Sequence, residues 1–211
     1  MIVFGLSISR KEAKKIHSFL NNQKGFSIDF ESDINDVSWT HSENIIMRRV
    51  EKLEQKLYHN TVKLNKNFDV VGDIGFYFLP YIELLIKNFS HIKFICTRRS
   101  KKNTYNDIIS DLKTNNSIFS RLFLFKKKYK NHWTNHNGKK WERDYLLDKC
   151  YPTFSFNDLN DSIYKYIEIY NSELKILEKK YPKNLQLLYS DEINSEYGKD
   201  KVLSFIGINK K

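Results

Sequence analysis

One stretch, residues 68–108, constrains the fold of this 211-residue chain more than any other. Asp69-Val70-Val71 forms a short strand pattern that we expect to end at Gly72-Asp73. Apolar residues then recur at helical spacing from Leu79 to Asn88, and Ile92 to Cys96 is a second apolar run. Strands joined by a helix of about ten residues pair in parallel through a right-handed crossover. The stretch therefore predicts an α/β protein.

The rest of the chain repeats the same alternation of strands and helices. Strands are predicted over Ile2–Leu6, Phe26–Phe30 and Leu185–Tyr189, and helices after Ser9 and over Ser38–Tyr58, Asn103–Leu112, Ser162–Lys180 and Tyr197–Ile206. We expect three layers, with a central, mostly parallel sheet of four to five strands flanked by helices. No repeat or linker divides the chain, so a single domain is expected over 1–211, with an irregular insert at about 114–158.

The charge balance indicates anionic partners without identifying them. Lysine and arginine give a formal net charge of +11, which suits nucleotides, nucleic acid, acidic glycans or an anionic membrane surface. A lysine-rich composition also fits an AT-rich genome, so the charge alone decides little. No apolar run is long enough to predict a membrane span. The two cysteines are far apart and lack metal-ligand spacing, so we expect a cytoplasmic protein without a metal.

Polar residues follow the first strand and open the first helix. Ligands of open α/β sheets lie beyond the carboxyl ends of the strands, where helix N-termini favour anions. The hydroxyls of Ser7 and Ser9, with the cations Arg10 and Lys11, could hold an anion there. The alternative is an ordinary helix capped by the Ser9 and Glu12 side chains.

Two further residues are expected at the same edge of the sheet. Arg99 follows the strand Ile92–Cys96 and suits an anionic ligand, although a solvated loop charge is the alternative. Glu31 follows the second strand and could accept a proton from a hydroxyl, although it could also be a surface carboxylate.

The insert contains aromatic, basic and histidine residues. His132 and Trp133 lie in a stretch rich in asparagine, which favours a loop that faces a substrate or nucleotide over a zinc helix. The basic and aromatic residues of 119–133 raise nucleic-acid binding as a third, less favoured alternative.

Several stretches together resemble the sulfotransferases that use 3′-phosphoadenosine-5′-phosphosulfate (PAPS). The resemblance spans most of the chain and lies in Val71-Gly72-Asp73, Lys93-Phe94-Ile95 followed by Arg99, Tyr181-Pro182, Leu187–Ile193 and Val202–Ile208. The segments 131–133 and 148–152 are similar to those of a microbial branch of that family. The resemblance implies a P-loop nucleotide-hydrolase-like fold, PAPS as sulfuryl donor and no metal.

The resemblance also implies roles for single residues. Arg99 matches the arginine that holds the 3′-phosphate of the donor, but its usual serine partner is Asp107 here, so Asn106 or Ser100 would have to substitute. In the loop that normally reads Lys/Arg-Ser-Gly-Thr-Thr, only Ser9 is kept, and Arg10 or Lys11 would supply the charge from a shifted position.

The expected activity is sulfuryl transfer from PAPS to a hydroxyl of a carbohydrate or another small acceptor. Glu31 would be the base, and Asp73, His132 and Trp133 are assigned to the acceptor. Because the loop is degenerate, a catalytically inactive relative that binds an anionic ligand or partner is the alternative.

Overall fold

A computed structural model describes residues 1–32, 43–63, 68–115 and 159–208. Five strands in these ranges form one sheet: β1 (Ile2–Ser7), β2 (Phe26–Phe30), β3 (Val70–Ile74), β4 (Ile92–Arg98) and β5 (Leu185–Tyr189). Their order is β2-β3-β1-β4-β5, and every neighbouring pair is parallel. The predicted α/β class with a parallel central sheet is confirmed.

Helices cover both faces of the sheet. The α-helices are α1 (Arg10–Asn21), α2 (Glu43–Lys63), α3 (Ile82–Asn88), α4 (Lys101–Asn115), α5 (Leu159–Lys180), α6 (Ser190–Asn194) and α7 (Glu196–Phe205). Apolar residues of α1 and α7 form one buried cluster with the sheet. Residues of α2, α3 and α5 form a second cluster. The three predicted layers follow from these two clusters.

Two element boundaries differ from those predicted. Gly72 and Asp73 do not end the third strand, since both lie within β3 and pair with β1 and β2. The helix predicted over Leu79–Asn88 is a 3-10 helix, Phe76–Tyr81, followed by the shorter α3. Pro80 lies inside the 3-10 segment, where its missing N–H and its ring disfavour a continuous α-helix.

The predicted insert lies outside the described residues from residue 116 to residue 158, and so do His132, Trp133 and the basic-aromatic stretch 119–133. Their assignments, and the single domain over the whole chain, stay predictions. Among the helices of the described ranges, none has the length and apolar character that crossing a membrane requires.

Candidate functional site

Ser9 determines how the turn after β1 enters α1. Its backbone is extended, and its Oγ accepts a hydrogen bond from the backbone N–H of Glu12 at 3.4 Å, as an N-cap should. Ser7 ends β1 directly opposite Thr97 of β4, and both side chains are buried. The turn is therefore held against the carboxyl end of β4.

Ser9 and Arg99 meet at a carboxylate on α4. Ser9 Oγ donates to Asp107 Oδ2 at 2.6 Å, and Arg99 Nη1 donates to the same oxygen at 2.8 Å. Asp107 lies eight residues after Arg99, about two helical turns along α4. The two groups that were predicted to converge at this edge are thus joined through Asp107.

A second carboxylate, that of Glu12, lies in the first turn of α1 and is only 1% exposed. Its Oε2 accepts from Ser190 Oγ at 2.6 Å, and its Oε1 accepts from Lys15 Nζ at 2.9 Å. Arg99 Nε lies 3.8 Å from Oε1. The capping-box pattern predicts that this side chain bonds the Ser9 backbone, so the sequence did not indicate that Glu12 joins α1 to Ser190 of α6 and to Arg99. The N-terminus of α1 favours a negative charge at this place.

Glu31 follows β2 in a strained backbone conformation. Its φ is +49°, in the left-handed region that non-glycine residues rarely adopt. Its side chain is 4% exposed, and Arg10 Nη2 lies 2.7 Å from its Oε2. The backbone N–H of Glu31 donates to the carbonyl of Ile74 at 2.9 Å. Strain held in place by such contacts is often found at functional sites.

The remaining sequence-predicted residues are more dispersed. Asp73 is fully buried and accepts a hydrogen bond from Arg49 Nε at 3.2 Å, so the structure gives it an internal partner. Lys11 is exposed on α1. Asn106 is exposed on α4, and it is the neighbouring Asp107 that contacts Arg99. The roles assigned to Asp73, Lys11 and Asn106 stay predictions.

We call the contacts among Ser9, Glu12, Arg99 and Asp107 the junction. A cavity of about 480 Å³ lies beside this junction, beyond the carboxyl ends of β4 and β5. Its lining comprises Arg98, Arg99, Ser100, Asn103, Asn171, Lys175, Tyr189, Ser190 and Asp191. Three of these residues are cations and one is a carboxylate. Ser100 Oγ accepts from the backbone N–H of Asn103 at 3.3 Å, so the cavity also contains the start of α4. Its size falls in the range of small-molecule sites.

Two buried polar atoms in the cavity lining have no hydrogen-bond partner among the described residues: Arg98 Nε and Asn171 Oδ1. The guanidinium of Arg98 lies 4.2 Å from the centre of the Tyr189 ring and also donates to the Tyr189 hydroxyl. Buried polar atoms usually have partners, so a ligand with both acceptor and donor groups would satisfy this lining. Asn171 and Lys175 come from α5, and no local pattern pointed to them.

Within the described ranges, the one cysteine is Cys96 of β4, and it is fully buried. Burial raises the pKa of this thiol well above its ordinary value, and the charge of Glu178 acts in the same direction. A neutral, enclosed thiol is a poor nucleophile, so Cys96 is not a candidate for the chemistry of this edge.

No protein-family model matches the chain, and no curated protein matches its sequence. One solved structure that resembles it is the sulfotransferase from Alicyclobacillus acidocaldarius, with a TM-score of 0.55 and 11% sequence identity. The match covers 99% of this chain and 80% of that protein. At this identity the likeness shows a sulfotransferase-like fold and nothing finer.

Proposed function

We propose that this chain is a sulfotransferase-like transferase that moves a sulfuryl group from an adenosine phosphosulfate to a hydroxyl of a carbohydrate or another small acceptor. PAPS is the donor that the resemblance implies. The observation that carries the proposal is the convergence of Ser9 and Arg99 at the carboxyl edge of the sheet, beside a basic cavity. Arginines and helix N-termini at such an edge suit phosphorylated ligands.

The residues of this edge fit a nucleotide with a charged 5′ end better than they fit the additional 3′-phosphate of PAPS. Arg98, Lys175 and the start of α4 offer positive charge and donors, and Arg98 Nε still lacks a protein acceptor among the described residues. Arg99, in contrast, already donates to Asp107 at 2.8 Å. A phosphate bound to Arg99 would lie against that carboxylate, so the 3′-phosphate does not fit the arrangement as it stands.

Sulfuryl transfer resembles phosphoryl transfer, in which a loose transition state spreads negative charge over the outer oxygens and positioning supplies most of the catalysis. The sulfur–oxygen bond to the nucleotide phosphate breaks, and one to the acceptor oxygen forms. In this proposal Glu31 takes the acceptor's hydroxyl proton, and Arg10 or Lys11 offsets the developing charge. The ion pair between Arg10 and Glu31 supports a shared location for these roles.

Transfer of labelled sulfate tests the proposal directly. Wild type, Arg99→Ala and the control Arg48→Ala, which removes an exposed arginine of α2, are incubated with labelled PAPS and separately with labelled adenosine 5′-phosphosulfate. We expect transfer from at least one donor, a fall of about 100-fold or more in Arg99→Ala, and no change in Arg48→Ala. Equal turnover in all three proteins, or none in any, would defeat the proposal.

A non-catalytic relative that binds an anionic ligand is the second candidate, and Glu12 favours it. A buried carboxylate in the first turn of α1 places negative charge where a phosphosulfate would need positive charge. A rise in melting temperature with adenosine 5′-monophosphate or adenosine 3′,5′-bisphosphate, without sulfate transfer, would support this candidate.

A further inference from the structure

The groups at the junction that could bind an anionic ligand already contact carboxylates of the chain itself. Ser9 donates its hydroxyl hydrogen bond to Asp107, and Arg99 donates to the same Oδ2 atom. Glu12 is a second carboxylate near the Arg99 guanidinium, with its Oε1 3.8 Å from Nε. A hydroxyl, a guanidinium and a helix N-terminus would otherwise form an anion site, and here the chain itself supplies the anions.

Asp107 lies where a phosphate would have to bind in order to contact both Ser9 and Arg99. Its side chain is 16% exposed, so it lies at the boundary between the junction and solvent. The two hydrogen bonds that fix it are shorter than 3 Å and involve one charged donor, which makes them strong. A phosphate that sought the same two donors would meet the carboxylate at contact distance, where two negative charges repel each other.

We propose that Asp107 is a specificity-determining residue, which excludes a phosphate from the position between Ser9 and Arg99 and selects a nucleotide with a free ribose hydroxyl there. The identity of the ligand as an adenine nucleotide rests on the proposed function. The exclusion itself rests on the contacts of Asp107.

A ribose hydroxyl is the group that a carboxylate in this position would accept. Both described hydrogen bonds of Asp107 end on Oδ2, and an ionised carboxylate has about four acceptor sites in all. Carboxylates play this part in dinucleotide-binding folds, where an acidic residue takes a ribose hydroxyl and an arginine accommodates a ribose phosphate. Here the arginine is present but is held by the acid.

The other two cations of the cavity lining could then bind the 5′-phosphorylated end of the nucleotide. Arg98 and Lys175 line the cavity, and neither is held by Asp107 or Glu12 in the described contacts. A ligand with one phosphorylated end, at the 5′ position, would bring its charge to these residues and its free ribose hydroxyls to Asp107. Adenosine 5′-phosphosulfate belongs to this class, whereas PAPS carries the additional ribose phosphate.

Calorimetric titration with two probes, adenosine 5′-monophosphate and adenosine 3′,5′-bisphosphate, tests the inference. The proteins are wild type, Asp107→Ser, Asp107→Asn and the control Asp191→Asn. The control also removes one carboxylate charge, here from the cavity lining, and Asp191 has no described contact with Ser9 or Arg99. Melting temperatures without ligand show whether each variant is folded, and Asp107→Asn keeps the side-chain volume.

Wild type should bind the monophosphate at least as tightly as the bisphosphate. Asp107→Ser and Asp107→Asn should bind the bisphosphate at least ten-fold more tightly than wild type does, with the monophosphate changed by less than about three-fold. Asp191→Asn should change both affinities alike. A wild type that prefers the bisphosphate ten-fold, or Asp107 variants that lose affinity for it, would overturn the inference and leave the proposed function standing.

Inorganic pyrophosphate separates failure of the inference from failure of the proposed function. If wild type binds neither nucleotide but the Asp107 variants gain pyrophosphate binding, the exclusion by Asp107 holds and the proposed donor is wrong. If no variant gains affinity for any of the three anions, the inference fails as well.

Discussion

At the scale of single residues, the carboxyl edge of the sheet is defined by arginine–carboxylate contacts. Three arginines each have a described carboxylate partner: Arg10 with Glu31, Arg49 with Asp29 and Asp73, and Arg99 with Asp107 and Glu12. Removing one partner of a buried pair leaves an uncompensated charge, so such contacts constrain side-chain positions more than they add stability. The charged groups at this edge are therefore held in fixed positions. Fixed charges favour selection of one anionic ligand over another more than nonspecific attraction of all anions.

Asp29 makes the stability of this edge dependent on pH. Burial alone would raise its pKa, but hydrogen bonds and charges from Arg49 and Lys56 hold the pKa below its ordinary value of 3.8. A lowered pKa in the folded protein adds stability above the unfolded value, and this is lost as the pH falls through the folded value. Asp29→Asn should therefore be less stable than wild type at pH 7, and the difference should shrink below about pH 4.

Urea unfolding of both proteins at neutral and acid pH measures that difference. Glu51→Gln, which neutralises an exposed carboxylate of α2, is the control and should lie within about 0.5 kcal/mol of wild type. A difference between Asp29→Asn and wild type that is the same at both pH values would contradict the assigned ion pairs.

At the scale of elements, the sequence predicts most strands but not what lies inside them. β2 and β5 have the bounds that their short apolar runs predicted. β3 extends past Val71, because Gly72 and Asp73 each meet a distant group. A side chain at Gly72 would lie 1.9 Å from the Val3 carbonyl, and Asp73 pairs with Arg49 of α2. Neither contact can be read from the local sequence. Glycine and aspartate have low strand propensity, so the pattern predicted that the strand ends before them.

The candidate site divides in the same way. The convergence of Ser9 and Arg99 could be predicted, because parallel strands bring their carboxyl ends to one edge. The contacts of Asp107 and Glu12 could not, because they depend on how α1 and α4 are rotated against the sheet. Asn171 and Lys175 come from the distant α5, so their place in the cavity depends on tertiary packing alone.

Gly72 gives a prediction at the element scale. Gly72→Ala should lower the free energy of unfolding by about 3 kcal/mol, because the new methyl group would collide with the β1 backbone and separate β1 from β3. Gly207→Ala is the matched comparison, since its φ is +79° but no atom lies within 4 Å of the new Cβ. Its cost should be only the backbone strain, about 1 kcal/mol. Equal losses in urea unfolding would contradict the close approach at Gly72.

At the scale of the whole molecule, the sheet order places β1 in the centre, with β3 on one side and β4 on the other. The turn that leaves β1 consequently lies beside the ends of both neighbours, and Arg10 contacts Glu31 on one side while Ser9 contacts Asp107 on the other. The sequence predicted the class and the parallel sheet, but not this order, which depends on long-range pairing. The order explains why one short turn joins the proposed base to the proposed nucleotide site.

The most direct test of this account is a ¹⁵N–¹H amide titration of the labelled protein with adenosine 5′-monophosphate. We expect the perturbed amides to cluster at the start of α1, at Arg98–Asn103 and at Tyr189–Asp191, on the carboxyl edge of the sheet. Perturbations confined to the opposite edge of the sheet, or no perturbation at millimolar nucleotide, would contradict the claim that this edge is a nucleotide site.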